Sequence, residues 1–283
     1  MDKVKFGPSG NSISFYEQGN KHTYQAPLWL YDLGLELFEY SFGRGVNLSS
    51  DTASLIAEQA KKYNIEISAH APYYINLASE DEIKIKNSFG YVLQSLKALR
   101  ALGGNRLVIH LGSSGKTDYK ESVLRINKNV EKLIGIINEN GYSDMILCPE
   151  TMGKAGQVGD TQDILKVCKI SSQLLPTFDF GHINSRGCGV LKCKNDYRRE
   201  LDMLFESLDE YRARNIHIHF SKIQYGAKGE IRHLTLADTE YGPEFEPLAE
   251  LIKEYKMTPH ILCESDGTQA EDACQLKAIY AKL

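Results

Sequence analysis

Short apolar runs suited to β-strands alternate along this sequence with longer stretches of helical spacing. The predicted strands are 4–9, 35–41, 65–70, 106–112, 145–150, 174–180, 215–220 and 260–265. Helical spacing falls between most of them, as at 51–63, 91–104, 122–141, 163–170, 201–212 and 245–256. Because parallel strands need crossover connections, this alternation implies a parallel sheet. Eight such units within 283 residues predict a (β/α)8 barrel, with an open doubly wound sheet as the alternative.

Composition restricts the class of protein further. No Pro-, Gly- or Ser-rich linker divides the chain, so we expect a single domain over residues 1–283. No stretch reaches the roughly eighteen apolar residues that a membrane span needs. The six cysteines form no CxxC pairs, which argues against a zinc ribbon or a disulfide scaffold. We therefore expect a cytoplasmic monomer with no membrane contact and no protein partner.

Residue types that bind metals stand at or near the ends of six predicted strands. They are His70, His110, Glu150, Asp179, the pair His217 and His219, and Glu264. The carboxyl ends of barrel strands form one rim, where barrel enzymes build their active sites. Gathering this much charge in a partly dry site is unfavourable unless cations compensate, and divalent metals do so most simply. Imidazoles and carboxylates without thiolates favour zinc, manganese or iron over calcium or magnesium.

The segment NIHIHFSK at 215–222 places two of these histidines on one predicted strand. Side chains alternate across a strand, so His217 and His219 share one face and Ile218 occupies the other. Alternation by itself does not choose between the two imidazoles as metal ligands.

Six segments carry a family resemblance along nearly the whole chain. They are SAHAPYYINLAS (68–79), LVIHLGSS (107–114), LCPETMGKAGQVGD (147–160), PTFDFGHINSRG (176–187), HIHFSK (217–222) and CESDGTQAEDA (263–273). In order and spacing they resemble endonuclease IV, the apurinic/apyrimidinic endonuclease family within the xylose isomerase-like TIM barrels. The resemblance implies hydrolysis of the phosphodiester 5′ to an abasic site in double-stranded DNA. It implies two or three zinc ions as cofactors, with Mn²⁺ or Fe²⁺ as alternatives.

The resemblance also assigns metal ligands. A first zinc ion falls to His70, His110 and Glu150. Glu150, the expected catalytic residue, bridges to a second ion, whose other ligands are Asp179, Glu264 and His217. His217 is chosen because the family motif has four residues between this histidine and a lysine, here Lys222. His219 then lies behind the ligands or replaces one of them.

A third zinc ion in the family uses a histidine matched by His182 and an Asp-x-His pair after strand seven. This chain has GEIRH at 229–233, so Glu230 replaces the aspartate and His233 follows three residues later instead of two. We expect the longer glutamate side chain to compensate for the extra residue.

The resemblance implies DNA contact through fewer residues than it implies for metal binding. The family's strand-two loop carries an arginine-bearing segment that inserts into DNA, whereas the loop at 41–51 is short and Arg44 is its only cation. Tyr73 matches the family's aromatic residue beside the first ligand. A net charge of −4 argues against a broadly basic DNA-binding face, although bound metal ions are missing from that count.

Two other functions fit parts of the same pattern. A sugar or sugar-phosphate isomerase or epimerase of this fold would use one divalent ion and two facing glutamates, which Glu150 and Glu264 supply. The additional histidines exceed what one ion can use, and they favour the endonuclease. A metal-stabilised binding protein without catalysis is the third hypothesis, and ligand types at so many strand ends argue against it.

Overall fold

Eight parallel strands close into a barrel in the computed structural model, which describes residues 3–283. The strands of the chain are β1 (Lys5–Pro8), β2 (Leu37–Ser41), β3 (Glu66–His70), β4 (Arg106–Ile109), β5 (Ile146–Pro149), β6 (Thr177–Asp179), β7 (His217–Phe220), β8 (Ile223–Gly226), β9 (Gly229–His233) and β10 (His260–Cys263). One parallel group has the order β1-β10-β7-β6 and the other the order β2-β3-β4-β5. Bridges from Ser9 to Glu39 and from Glu150 to Thr177 join the groups at both seams. The barrel prediction is confirmed, and each predicted strand contains an observed one.

Helices surround the barrel strands. They are α1 (Ile13–Glu17), α2 (Ala26–Asp32), α3 (Ser50–Tyr63), α4 (Glu82–Ala101), α5 (Tyr119–Glu139), α6 (Thr161–Cys168), α7 (Phe180–Arg186), α8 (Lys194–Ser207), α9 (Glu210–Arg214), α10 (Glu246–Glu254) and α11 (Gln269–Lys282), with a 3-10 turn at Thr23–Gln25. Helix α4 begins well before the predicted start at 91, because Asp81 caps it by accepting the N–H of Ile83. The single helix predicted at 201–212 is two helices, since Asp209 starts α9 by accepting the N–H of Arg212.

The two faces of the barrel strands carry different chemistry. Outward side chains such as Ile218 and Phe220 join the main apolar core under the helices. Inside the barrel, Val108, Cys148 and Leu175 form a small separate apolar cluster. Barrel interiors are usually filled with layers of branched apolar residues. In this barrel, buried titratable side chains occupy much of that space, and they continue along the strands up to the carboxyl-terminal rim.

The β8–β9 hairpin is an element that the sequence did not predict. It follows β7 directly and contacts the loop after β5 through a bridge between Lys154 and Gly229. Gly229 has a φ of +91° and lies against the carbonyl of Gly153, so a side chain there would be strained and would collide. The hairpin is thereby held beside the barrel rim. No helix within residues 3–283 is both long enough and apolar enough to cross a bilayer.

Candidate metal centre

Three neighbouring groups of metal-ligating side chains lie around the carboxyl ends of the strands. We name them site A (His70, His110 and Glu150), site B (Glu150, Asp179, His219 and Glu264) and site C (His182, Glu230 and His233). Within each group, the candidate ligand atoms lie within 4.8 Å of one another. Glu150 belongs to both site A and site B, so these two sites share one carboxylate.

Glu150 is buried at the centre of the arrangement, directly after β5. Its Oε2 lies 3.2 Å from Nε2 of His70 and 2.9 Å from Nε2 of His110. Its Oε1 lies 2.7 Å from Nδ1 of His219. One oxygen therefore faces site A and the other faces site B, which is the arrangement needed for a carboxylate that bridges two cations.

In three histidines of sites A and C, the ring nitrogen that points away from the site is hydrogen-bonded to an uncharged oxygen. The pairs, each at 2.9 Å, are His70 Nδ1 with the Ala71 carbonyl, His182 Nδ1 with the Thr151 carbonyl, and His233 Nδ1 with Ser221 Oγ. A carbonyl only accepts hydrogen bonds, so His70 and His182 carry a proton on Nδ1, and Nε2 is the ring atom that can bind a metal once it has no proton. For these two histidines the surrounding chain thus selects the imidazole nitrogen that faces the metal.

His219, and not His217, is the strand-seven histidine of site B. His219 pairs in register with Asp179 of β6, whereas His217 pairs with Thr177. Two residues along a strand span about 6.6 Å, so His217 lies one full pleat deeper in the barrel. The geometry therefore favours His219 as the ligand of site B over His217, which the spacing to Lys222 had selected.

Asp179 gives an independent indication of a cation in site B. Its Oδ1 accepts the N–H of His182 at 2.8 Å, but its buried Oδ2 has no hydrogen-bond partner among the described residues. Nδ1 of His182 lies 3.2 Å from Oδ2 and donates instead to a backbone carbonyl. Burial raises the pKa of Asp179 to about 6. The charge of His182 opposes this rise, and the charges of Glu264 and Glu150 add to it. A carboxylate in these surroundings fits a divalent cation.

Glu39 on β2 is a fully buried carboxylate that the sequence interpretation missed. Its Oε2 accepts hydrogen bonds from Nε2 of His217 at 2.9 Å and from Ser68 Oγ at 2.9 Å. Its Oε1 accepts one from Ser9 Oγ at 3.1 Å and lies 3.0 Å from Nε2 of His219. Burial opposes ionisation, but the charge of His219 and the imidazole hydrogen bonds hold the pKa of Glu39 well below its usual value. An acidic residue at an inward position of LFEYS was the signal that could have revealed it.

A β-bulge assembles site C. Residues three apart on a regular strand point to opposite faces, which would separate Glu230 from His233. The pairing of β9 with β8 shifts register, and Ile231 becomes an extra residue. Nε2 of His182 lies 3.5 Å from Oε2 of Glu230, and its ring centroid lies 5.4 Å from that of His233. The bulge absorbs the extra residue and brings Glu230 and His233 to the same side of the strand.

The electrostatics of sites A and B suit bound cations. Burial alone would raise the pKa of Glu150, but the charge of His219 and the imidazole hydrogen bonds lower it well below its usual value. Burial lowers the pKa of His70, yet Glu150 outweighs this effect and raises it to about 9. At His110 burial prevails, and the pKa is lowered. The buried carboxylates therefore stay ionised, and divalent cations can replace the imidazole protons that balance them.

A cavity of about 340 Å³ opens onto the three sites, and Tyr73, Lys154 and Gln157 are among its lining residues. Tyr73 is 62% exposed, and its ring centroid lies 6.3 Å from those of His70 and His110. Arg44 is exposed in the loop after β2 and does not line this cavity. The structure thus brings Tyr73 to the candidate centre and leaves Arg44 outside it.

The sequence matches the family described as "Xylose isomerase-like TIM barrel" over residues 28–280. The chain belongs to this family. An uncharacterized protein from Methanocaldococcus jannaschii is 32% identical over 278 residues, covering 98% of this chain and 97% of that protein. A "probable endonuclease 4" from Cenarchaeum symbiosum is 25% identical over 253 residues, covering 84% of this chain and 85% of that protein. Another from Malacoplasma penetrans is 26% identical over 192 residues, covering 66% of this chain and 63% of that protein.

Solved structures of this barrel type include enzymes with different names. Endonuclease IV from Thermus thermophilus superposes with a TM-score of 0.69 at 20% identity, covering 93% of this chain and 94% of that one. A D-tagatose 3-epimerase-like protein superposes with a TM-score of 0.65 at 20% identity, covering 88% of each chain. These similarities show the fold. The choice among activities within the xylose isomerase-like family has to come from the chemistry of the site.

Separate replacement of the two strand histidines should give different metal contents. His219→Asn removes a ligand of site B, so we expect about one zinc ion fewer per chain than in the wild type, measured by plasma mass spectrometry after gel filtration. His217→Asn is the matched comparison, with the same substitution one pleat deeper, and it should lower the metal content less than His219→Asn does, because His217 supplies no ligand atom to site B. The opposite pattern would place His217 in site B.

Proposed function

We propose that this protein is a zinc-dependent apurinic/apyrimidinic endonuclease that hydrolyses the phosphodiester 5′ to abasic sites in DNA. The observation that carries the proposal is the presence of three adjacent ligand groups, two of which share Glu150. A sugar isomerase needs one divalent ion, whereas phosphodiester hydrolysis profits from several ions around one phosphate. The similarity to endonuclease IV in sequence motifs and fold supports the same choice.

The residues of the three sites have distinct parts in the proposed reaction. Divalent ions, when bound, supply activation of a water molecule and stabilisation of negative charge on the phosphate oxygens. Glu150 sets the spacing between sites A and B, because each of its oxygens faces one of them. The backbone contacts of His70 and His182 hold a proton on Nδ1, so Nε2 is the atom left to bind a metal, which would displace its proton. The chain thus contributes a preorganised, mostly buried ligand set that needs little rearrangement during reaction.

Substrate contact is proposed for the mouth of the cavity. A cavity of about 340 Å³ is much smaller than a DNA duplex, so we infer that an abasic unit would have to leave the stack to reach the metals. Tyr73 offers an exposed aromatic face at this mouth, on which a neighbouring base or sugar can pack. Arg44 would contact the DNA backbone outside the cavity, where its charge is solvated.

A sugar epimerase or isomerase is the second candidate because site B is by itself a complete four-residue ligand set. It contains Glu150 and Glu264 from β5 and β10, two carboxylates that could hold one ion and move a proton. The similarity to a D-tagatose 3-epimerase-like fold is compatible with this reading. Sites A and C would then have no assigned use, which is why we rank it second.

The deciding experiment combines a metal count with a nicking assay. Purified protein is assayed on a duplex with one tetrahydrofuran abasic analogue, beside the same duplex with an intact nucleotide. Two or three zinc ions per chain with one incision 5′ to the analogue would support the endonuclease. About one ion, no incision at micromolar enzyme, and turnover of ketoses would instead establish the epimerase reading.

A further inference from the structure

Glu39 stands apart from the other buried carboxylates of the barrel because two histidines and two serines converge on it. Oε2 is occupied by hydrogen bonds from His217 and Ser68, each at 2.9 Å. Oε1 receives Ser9 Oγ at 3.1 Å and faces Nε2 of His219 at 3.0 Å. His217 and Ser68 thus fix the carboxylate plane, which leaves Oε1 directed at His219.

His219 has no other polar partner for Nε2 among the described residues. The contact with Oε1 departs from the direction of an aligned hydrogen bond, so its attraction comes mainly from the carboxylate charge acting on the polarised Nε2–H group. The opposite ring atom, Nδ1, lies 2.7 Å from Glu150 and 3.4 Å from Glu264. The imidazole of His219 therefore lies between Glu39, which is deeper in the barrel, and the carboxylates of site B at the rim.

Glu39 also differs from the groups that hold the other ligand histidines. His70, His182 and His233 are held by a carbonyl, a carbonyl and a hydroxyl. A carboxylate behind an imidazole makes the ring a stronger donor to a metal and fixes its tautomer more firmly than a neutral oxygen does. His219 differs from these three histidines because the atom behind its ring is a carboxylate oxygen with no neutral oxygen in its place.

We propose that Glu39 is the positioning residue of site B, which keeps the His219 proton on Nε2 and directs the Nδ1 lone pair at the metal. The inference rests on the proposed metal centre, and it holds for either candidate reaction. His217, which cannot reach the rim, acts as a donor that orients Glu39. The two histidines of the HIH motif then have different tasks, ligand and support, one pleat apart.

The test is zinc affinity of the purified protein, measured by competition with a chromophoric chelator. Glu39→Gln should weaken one of the bound ions by about 10- to 100-fold and leave the others unchanged. The same substitution in a His219→Asn background should cause no further loss, because both changes act on one site. Nitrogen-15 NMR of the histidine rings should show the His219 proton on Nε2 in the wild type and a mixed tautomer in Glu39→Gln.

Asp163→Asn is the matched control, since Asp163 is a buried carboxylate of α6 that accepts a hydrogen bond from Tyr119 at 2.6 Å and belongs to none of the ligand groups. It should change thermal stability without changing zinc affinity or the His219 tautomer. If Glu39→Gln does not fold, the double substitution of Ser9 and Ser68 by alanine removes two contacts that hold the carboxylate. It should weaken the same ion to a smaller degree.

Each outcome decides the inference. Equal zinc affinities in wild type and Glu39→Gln, or in wild type and the serine double variant, would overturn it. A wild type that binds no ion at site B would overturn the inference and the metal centre together. A wild type that binds zinc, loses affinity in Glu39→Gln and yet does not incise DNA would overturn only the proposed activity.

Discussion

Glu150→Gln is expected to reduce incision at an abasic analogue by about a thousandfold, which corresponds to about 4 kcal/mol of transition-state stabilisation. The physical reason is that both oxygens of Glu150 are engaged, one facing the two histidines of site A and the other facing site B. The amide keeps the shape of the side chain but loses the negative charge and one acceptor oxygen. The measurement is single-turnover nicking with zinc in excess.

Glu200→Gln provides the control for this prediction. Glu200 is a partly buried glutamate of α8 that accepts a hydrogen bond from Thr161 at 2.5 Å and lies outside the three metal sites. Its replacement should leave nicking within about twofold of the wild type, as expected for a residue outside the active centre. Equal activity of Glu150→Gln and the wild type would remove Glu150 from the proposed mechanism.

Removal of the metals should lower the melting temperature by about 10 °C. Three carboxylates of site B, Glu150, Asp179 and Glu264, lie close together, and without a metal only protonated imidazoles offset their charge. Ions present at a thousandfold their dissociation constant add about 4 kcal/mol of stability. In a chain of this size, each kcal/mol of stability shifts the melting temperature by roughly 2 to 4 °C. Thermal unfolding followed by circular dichroism, before and after chelation, measures the difference.

Restoring zinc should restore the melting temperature, and the Glu150→Gln variant serves as the reference. That variant lacks the shared ligand, so chelation should shift its melting temperature by less than it shifts the wild type. A wild type that melts at one temperature with and without chelator would show that no tightly bound ion stabilises the barrel.

The fold was largely predictable because its signal is local. Each barrel strand is a short apolar run between helical stretches, and the predicted run at 106–112 contains the observed β4. The β8–β9 hairpin was missed because its residues, IQYGAKGEIRH, carry apolar alternation only at Ile223 and Tyr225, which is too short to predict a strand. It is held by contacts with the distant loop after β5, including the bond from Glu230 N–H to the Gly153 carbonyl.

The candidate metal ligands were predictable as residue types, but their grouping into sites was only partly predictable. His70, His110, Glu150, Asp179 and Glu264 were expected at one rim from their positions at strand ends, and the structure brings them together. The choice between His217 and His219 was not settled by spacing along the chain. It depends on the register of β7 against β6, which pairs His219 with Asp179.

The sequence by itself determined the alternation of strands and helices, the barrel and the set of imidazole and carboxylate donors at its rim, because these follow from local periodicity. Tertiary structure alone decided which donors share a site. Strand register raised His219 to the rim and left His217 below it, and the bulge at Ile231 turned Glu230 and His233 to one side. The burial of Glu39 beneath His219 arises from strands far apart in the chain, whose contacts no local pattern encodes.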